Sequence, residues 1–209
     1  MKPEIKNVIF DLGGVLIDWN PRYLYRTVFS DEGKMEEFLA TVCTQEWNEK
    51  QDAGRGFAEG IAELREQFPH YKSEIEVWDS RWHEMIRGAM EPTVQVLDQI
   101  RRTGRYRLFG LSNWSRDKFH IAEDGFHFMK WFEYVAVSGR LGFKKPDPRI
   151  FHHLLAVGGI RASESVLIDD VESNIDAARA LGFHAIHFVT AEKLGHELSM
   201  LGVDLQYGQ

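Results

Sequence analysis

Five short runs of β-branched and aromatic residues set the terms for this chain: residues 8–10 (VIF), 106–111 (YRLFGL), 134–137 (YVAV), 165–168 (SVLI) and 185–189 (AIHFV). Their apolar character is nearly continuous, as expected of strands covered on both faces. Stretches of helical length, residues 115–123, 148–157 and 172–181, separate the later runs, and Gly182 is placed to stop the last of them. Strands alternating with helices predict βαβ units and a parallel sheet. All strands of such a sheet end on one edge, and open α/β folds bind their ligands there.

Residues 18–93 have a different texture. Aromatic and aliphatic residues recur at helical spacing, as in Phe57, Ile61, Leu64 and Phe68, and strand-like runs are absent. This stretch predicts an all-helical insert of four or five short helices, placed to close over the strand ends. Residues 1–17 and 94–209 would then form the α/β core, and residues 18–93 a small helical cap domain.

Each core run leads to a residue with chemistry. The first gives Asp11, the second Ser112 and Asn113, the third leads through SGRLGFKKPDP to Lys144 and Lys145, and the fourth gives Asp169 and Asp170. Each has a plainer role available. Asp11 before glycine suits a turn, Asp169-Asp170 and Ser112-Asn113 suit helix caps, and one of the two lysines would simply be solvated. Pro146 holds the backbone before it extended, so Lys145 is the better-aimed lysine. Taken together the plain roles weaken. Carboxylates at adjacent strand ends repel by about 4 kcal/mol at 4 Å and an effective dielectric of 20. A hard divalent cation with oxygen ligands offsets that, and Mg2+ held this way usually also carries a substrate phosphate. Lys145, Ser112 and backbone N–H groups would supply the remaining phosphate contacts.

The motifs DLGGV at residues 11–15, LSN at 111–113, KKPDPRIF at 144–151 and IDDVESN at 168–174, in that order and spacing, resemble the haloacid dehalogenase superfamily, in its phosphatase branch with a helical cap of the first type. The segment EWNEKQDAGRGFAEGI in the insert is similar to the specificity segment of bacterial α-glucose-1-phosphatase-like members. The resemblance implies a Rossmann-like core and an Mg2+-dependent phosphomonoester hydrolase. Asp11 would be the nucleophile and form an aspartyl phosphate. Ser112 and the backbone of Asn113 would bind the phosphoryl group, and Lys145 would orient Asp11 and neutralise charge. Asp11, Asp170 and the main-chain carbonyl of Gly13 would hold Mg2+, with Asp169 a ligand through water or an orienter behind them. The expected substrate is a small phosphorylated metabolite, a sugar phosphate and specifically a 1-phosphate.

The commoner phosphatase pattern is Asp-x-Asp-Gly, in which the second Asp is the general acid–base. Gly13 stands in its place. Proton transfer by a positioned group contributes roughly 10²–10⁴-fold, so its loss predicts a preference for activated leaving groups such as anomeric or acyl phosphates. Asp18, Glu46, Asp52 and His83 are candidates to replace it, each with a solvated helical position as the alternative. Trp19 and Trp47 are candidates to line a substrate pocket, with core packing as the alternative.

Rival readings fare worse. A metal-independent 2-haloacid dehalogenase also lacks the second Asp. It typically has an aromatic residue where Gly13 stands, and it lacks the paired acids of Asp169-Asp170. GLSNW offers a serine at Ser112, but Trp114 replaces the second glycine of a hydrolase elbow. GRGFAEG has one residue too many for a dinucleotide loop and no strand before it. A binding or regulatory protein with a decayed site would explain Gly13 alone. The formal net charge of −7, from 25 Lys+Arg against 32 Asp+Glu, and the lack of a dense basic run exclude a nucleic-acid binder. No apolar run approaches the roughly 18 residues of a membrane span. A single cysteine, Cys43, excludes an internal disulfide. With no signal-peptide core at the start, the chain reads as soluble and cytoplasmic, a monomer or homodimer.

Overall fold

The computed structural model describes residues 4–205. Five parallel strands form its central sheet: β1 (Asn7–Phe10), β4 (Arg107–Ser112), β5 (Tyr134–Val137), β6 (Ser165–Asp169) and β7 (His184–His187), in the order β5-β4-β1-β6-β7. A two-stranded antiparallel ribbon, β2 (Ile17–Trp19) with β3 (Ile86–Ala89), stands apart from it. The sheet explains the continuous apolar runs. Val8 and Phe10 face one buried layer and Ile9 the other. Helices Glu91–Thr103 and Ala191–Met200 pack on the first face through Leu97, Ile100, Leu194 and Leu198. Helices Pro148–Gly158 and Glu172–Ala180 pack on the second through Ile150, Phe151, Leu154 and Ala178. The chain leaves β1 for β4 on one side and later places β6 on the other, so β1 is the topological switch point.

Five helices lie between the ribbon strands: Pro21–Val28, Glu32–Thr41, Gln45–Asp52, Phe57–Gln67 and Lys72–Ser80. Asn20, Asp31 and Thr44 cap the first three with their side-chain oxygens. An aromatic cluster holds the bundle together, with Tyr25 5.1 Å from Phe38 and 5.8 Å from Trp78, and Trp47 5.3 Å from Trp78 between ring centroids. Phe57, Ile61 and Leu64 are buried in this bundle, as their spacing predicts.

Two local expectations are corrected, the all-helical insert and the helix expected from residue 115. The insert is not all-helical, because β2 and β3 pair across its base with a bulge between Asp18 and Trp19. Each strand is only three or four residues long and its partner is far off in sequence, so no local pattern announces it. The boundaries read at 17/18 and 93/94 fall inside β2 and inside helix Glu91–Thr103. The helix expected from residue 115 begins at Phe119, since the preceding residues form a turn that meets the insert. No helix among the described residues is long and apolar enough to cross a membrane.

Candidate active site

The ladder carries Asp11 to the mouth of β1. Its N–H donates to the Ile168 carbonyl at 2.9 Å, and its Oδ1 accepts from the Leu12 N–H at 2.7 Å. Its Oδ2 lies 2.7 Å from Lys145 Nζ. The Lys145 ammonium is buried and fully partnered: it also meets Asp169 Oδ2 at 2.6 Å and the Leu111 carbonyl at 2.7 Å. Three contacts saturate its three donors. Burial opposes the ammonium, but Asp11 and Asp169 outweigh it and hold its pKa above the ordinary value.

Asp169 is equally engaged. Its Oδ1 accepts from the Val171 N–H and from Asn174 Nδ2, both at 2.9 Å, while Oδ2 faces Lys145. Both of its oxygens are therefore already bonded within the protein. Asp170 points the other way, toward the Gly13-Gly14 turn. A Cβ on Gly14, whose φ is +75°, would sit 2.2 Å from Asp170 Oδ2, so this position needs glycine for both conformation and space. A Cβ on Gly13 would meet nothing within 4 Å, so crowding at that atom does not demand glycine.

Oxygen atoms of Asp11, Asp169 and Asp170 lie within 4.8 Å of one another. Burial pushes Asp11 up despite Lys145, and Asp169 and Asp170 push it further. Burial and then Asp169 raise Asp170 too. One lysine thus leaves this group short of positive charge. Hard oxygen donors gathered around that deficit fit a divalent cation such as Mg2+.

Ser112 ends β4 with its Oγ buried and no partner within the protein. Most buried hydroxyls are satisfied, so this one has a donor to spare at the strand-end edge. Asn113 does a task that its sequence neighbours did not reveal. Its Oδ1 accepts from the Lys145 N–H at 2.8 Å, and its Nδ2 donates to the Lys145 carbonyl at 3.0 Å. The amide clamps the backbone of Lys145, leaving only the Asn113 main chain for a ligand.

A cavity of about 290 Å³ opens over Asp11, Lys145 and Asp170, while Ser112 and Asp169 lie behind its wall. The core contributes Asp11, Gly13, Asn113, Lys145 and Asp170, and the insert Asn48, Glu49 and Asp52. Trp19, one of the two candidates, lines it, joined by Trp82 and Trp114 at centroid separations of 6.4 and 5.4 Å along the series. Trp47 does not reach it, since its indole N–H donates to the Gly60 carbonyl inside the bundle at 3.2 Å. Lys144 is not a freely solvated lysine, because it bonds Glu49 Oε2 at 3.0 Å and ties core to insert.

The four candidate acids separate clearly. Asp18 is bonded by the Tyr23 hydroxyl at 2.8 Å and lies outside the cavity wall. Glu46 is exposed, and its own backbone N–H and the Thr44 hydroxyl keep its carboxyl below the usual range. His83 is exposed. Asp52 alone lines the cavity. Burial, and then Glu49, push it up to about 7 against Lys144 and the backbone N–H of Ser115.

This architecture has known counterparts. The family model of haloacid dehalogenase-like hydrolases matches residues 5–182. The chain belongs to that family. As a family member it is a hydrolase. It is 23% identical to the sesquiterpene phosphatase astK of Aspergillus oryzae over 206 residues, 96% of this chain and 98% of that one. It is 22% identical to the D-ribitol-5-phosphate phosphatase of Bacteroides thetaiotaomicron over 210 residues, 94% of this chain and 98% of that one. A crystal structure of a haloacid dehalogenase family enzyme from Bacteroides thetaiotaomicron, in magnesium complex, has the same fold, with a TM-score of 0.71 at 23% identity over 93% of this chain and 98% of that one.

Proposed function

We propose that this hydrolase is an Mg2+-dependent phosphatase acting on a small phosphomonoester, with residues 18–93 as cap over a core of residues 1–17 and 94–209. The reading rests on one observation above all: a buried carboxylate, Asp11, sits 2.7 Å from a saturated lysine, beside two further acids, with an unpartnered serine hydroxyl ending the neighbouring strand β4. A carboxylate attacks a phosphate dianion only where cations screen the approach. The two similar proteins named as phosphatases support the reading.

Asp11 attacks phosphorus through a carboxylate oxygen, and the leaving oxygen departs, giving an aspartyl phosphate that water then hydrolyses. Lys145 holds Asp11 in position, and Asp169 and Asn113 hold Lys145. Ser112 Oγ and the Asn113 backbone N–H donate to the phosphoryl oxygens. Asp11, Asp170 and the Gly13 carbonyl would hold Mg2+, which supplies charge neutralisation to the phosphoryl group. Asp169, its oxygens already taken, orients. The wall of Trp19, Trp82 and Trp114 facing Asn48, Glu49 and Asp52 suits a sugar or polyol phosphate, with C–H faces against the rings and hydroxyls toward the polar side.

The test compares wild type with Asp11→Asn, with and without Mg2+, on p-nitrophenyl phosphate, acetyl phosphate, glucose 1-phosphate and glucose 6-phosphate. Turnover by wild type that requires Mg2+ and falls at least about 10³-fold in Asp11→Asn is expected for loss of a nucleophile. Folded wild type that hydrolyses no ester overturns the reading.

A further inference from the structure

We propose that Asp52 is the general acid–base of this site, the group from the insert that does the work for which Gly13 has no side chain. The proposal rests on the phosphatase reading above. The carboxyls lining the cavity are Asp11, Asp170, Glu49 and Asp52. Asp11 is committed to attack and Asp170 faces the place of the cation. Glu49 is tied to Lys144 at 3.0 Å. Asp52 remains, held by Asn48 Nδ2 at 3.2 Å.

Its placement is fixed by the core rather than by its own helix alone. Asp52 ends helix Gln45–Asp52, and the chain then turns through Gly54 at φ +106°. A Cβ on Gly54 would come 3.3 Å from the Gly142 Cα and 3.4 Å from the Gly139 carbonyl. Backbone therefore lies on backbone where the insert meets the loops after β5. Two residues beyond Arg55, the Phe57 N–H donates to Asp117 Oδ2 at 2.8 Å. The turn that carries Asp52 is docked at both ends, so the carboxyl is held over the strand-end edge. The groups facing it are Glu49 on its own helix, Lys144 from the loop after β5 and the Ser115 N–H from the loop after β4. Their balance with burial leaves it a proton to give near neutral pH, where a general acid is most effective.

The proton accounting closes. When Asp11 Oδ bonds to phosphorus, the bond from phosphorus to the leaving oxygen breaks, and protonated Asp52 gives its proton to that oxygen. The products are an alcohol, the aspartyl phosphate and the Asp52 carboxylate. Asp52 then takes a proton from the attacking water as the new bond to phosphorus forms and the bond to Asp11 breaks. Inorganic phosphate leaves, Asp11 is again a carboxylate and Asp52 is again protonated.

The experiment is Asp52→Asn against wild type, both with Mg2+, with kcat/KM on a poor and a good leaving group. Protonation matters for an alkoxide and little for p-nitrophenolate. The expected loss in kcat/KM is about 10²-fold or more on glucose 6-phosphate and under about threefold on p-nitrophenyl phosphate. With the latter substrate the variant should release a burst of about one p-nitrophenol per active site, since the intermediate then waits for a base. In wild type, kcat/KM on glucose 6-phosphate should fall as pH rises through about 7, and that limb should vanish in the variant. Equal losses on both substrates, with no burst and an unchanged limb, overturn the proposal and make Asp52 a structural residue. Wild type inactive on every ester overturns the phosphatase reading itself, and this proposal with it.

Discussion

Ser112 shows how the proposed site can be told from the core at the scale of one side chain. Its Oγ is shut from solvent and has no partner. A hydroxyl so placed contributes nothing to the free chain and costs something to desolvate. In the proposed mechanism a phosphoryl oxygen is its partner. Ser112→Ala is therefore expected to leave the melting temperature unchanged or raise it slightly, while kcat falls about 10²–10³-fold, as for loss of one donor to developing charge. A calorimetric scan and steady-state kinetics on one preparation decide it; a large drop in stability with little change in kcat would mark Ser112 as structural. Gly13 and Gly14 make a second contrast at this scale. Only Gly14 is required by its surroundings, since Asp170 occupies the space of its Cβ. At Gly13 a Cβ would meet nothing within 4 Å, so no such crowding requires glycine there.

Elements were legible where burial was uniform. The central strands announced themselves as continuous apolar runs because helices cover both faces. Their polar ends were legible for the same reason: Asp11, Ser112 and Asp169 each interrupt an apolar pattern. The ribbon of β2 and β3 was not, because its pairing joins residues about seventy positions apart and buries little. The clamp of Asn113 on Lys145 was invisible too, since the amide reads equally well as a cap. Asp18, Glu46, Asp52 and His83 were alike in sequence, and only tertiary placement set Asp52 apart. Asp117 belongs to this class of contacts. It accepts from the Phe57 N–H, at the first residue of helix Phe57–Gln67, and so joins the turn after β4 to the insert. Asp117→Ala should cost about 1–2 kcal/mol for the partner lost. It should also raise KM more than it lowers kcat, because the insert docks less firmly while the core groups stay in place. Denaturant unfolding paired with kinetics on p-nitrophenyl phosphate measures both. An unchanged KM would mean that this bond steadies the fold without shaping the cavity.

At the scale of the whole molecule, an acidic chain of net charge −7 keeps three carboxylates together at one sheet edge, with a single buried lysine among them. The arrangement ties stability to pH and, on the proposed reading, to Mg2+. Asp52 has an ordinary value of 3.8 and is pushed up to about 7 in the folded chain. Asp11 and Asp170 are shifted in the same direction. An acid with a raised folded pKa binds more protons folded than unfolded, so stability declines as pH climbs from the unfolded value through the folded one. The metal-free protein is thus expected to melt at progressively lower temperature from about pH 4 to pH 7 and above. Mg2+ favours the anions of Asp11 and Asp170, so its stabilising effect should grow with pH. At a hundredfold excess over its dissociation constant it should add about 2.7 kcal/mol, or about 5–10 °C in a chain of this size. Asp52 is not one of the carboxylates gathered around Asp11, and Asp52→Asn should remove part of the pH slope whether or not Mg2+ is present. Asp170→Asn should abolish most of the Mg2+ shift and leave the contribution of Asp52 intact. Melting scans of the three proteins across pH, with Mg2+ and with chelator, separate the two acids. An Mg2+ shift of the same size at every pH would show that the cation is not held by the carboxylates gathered at the end of β1.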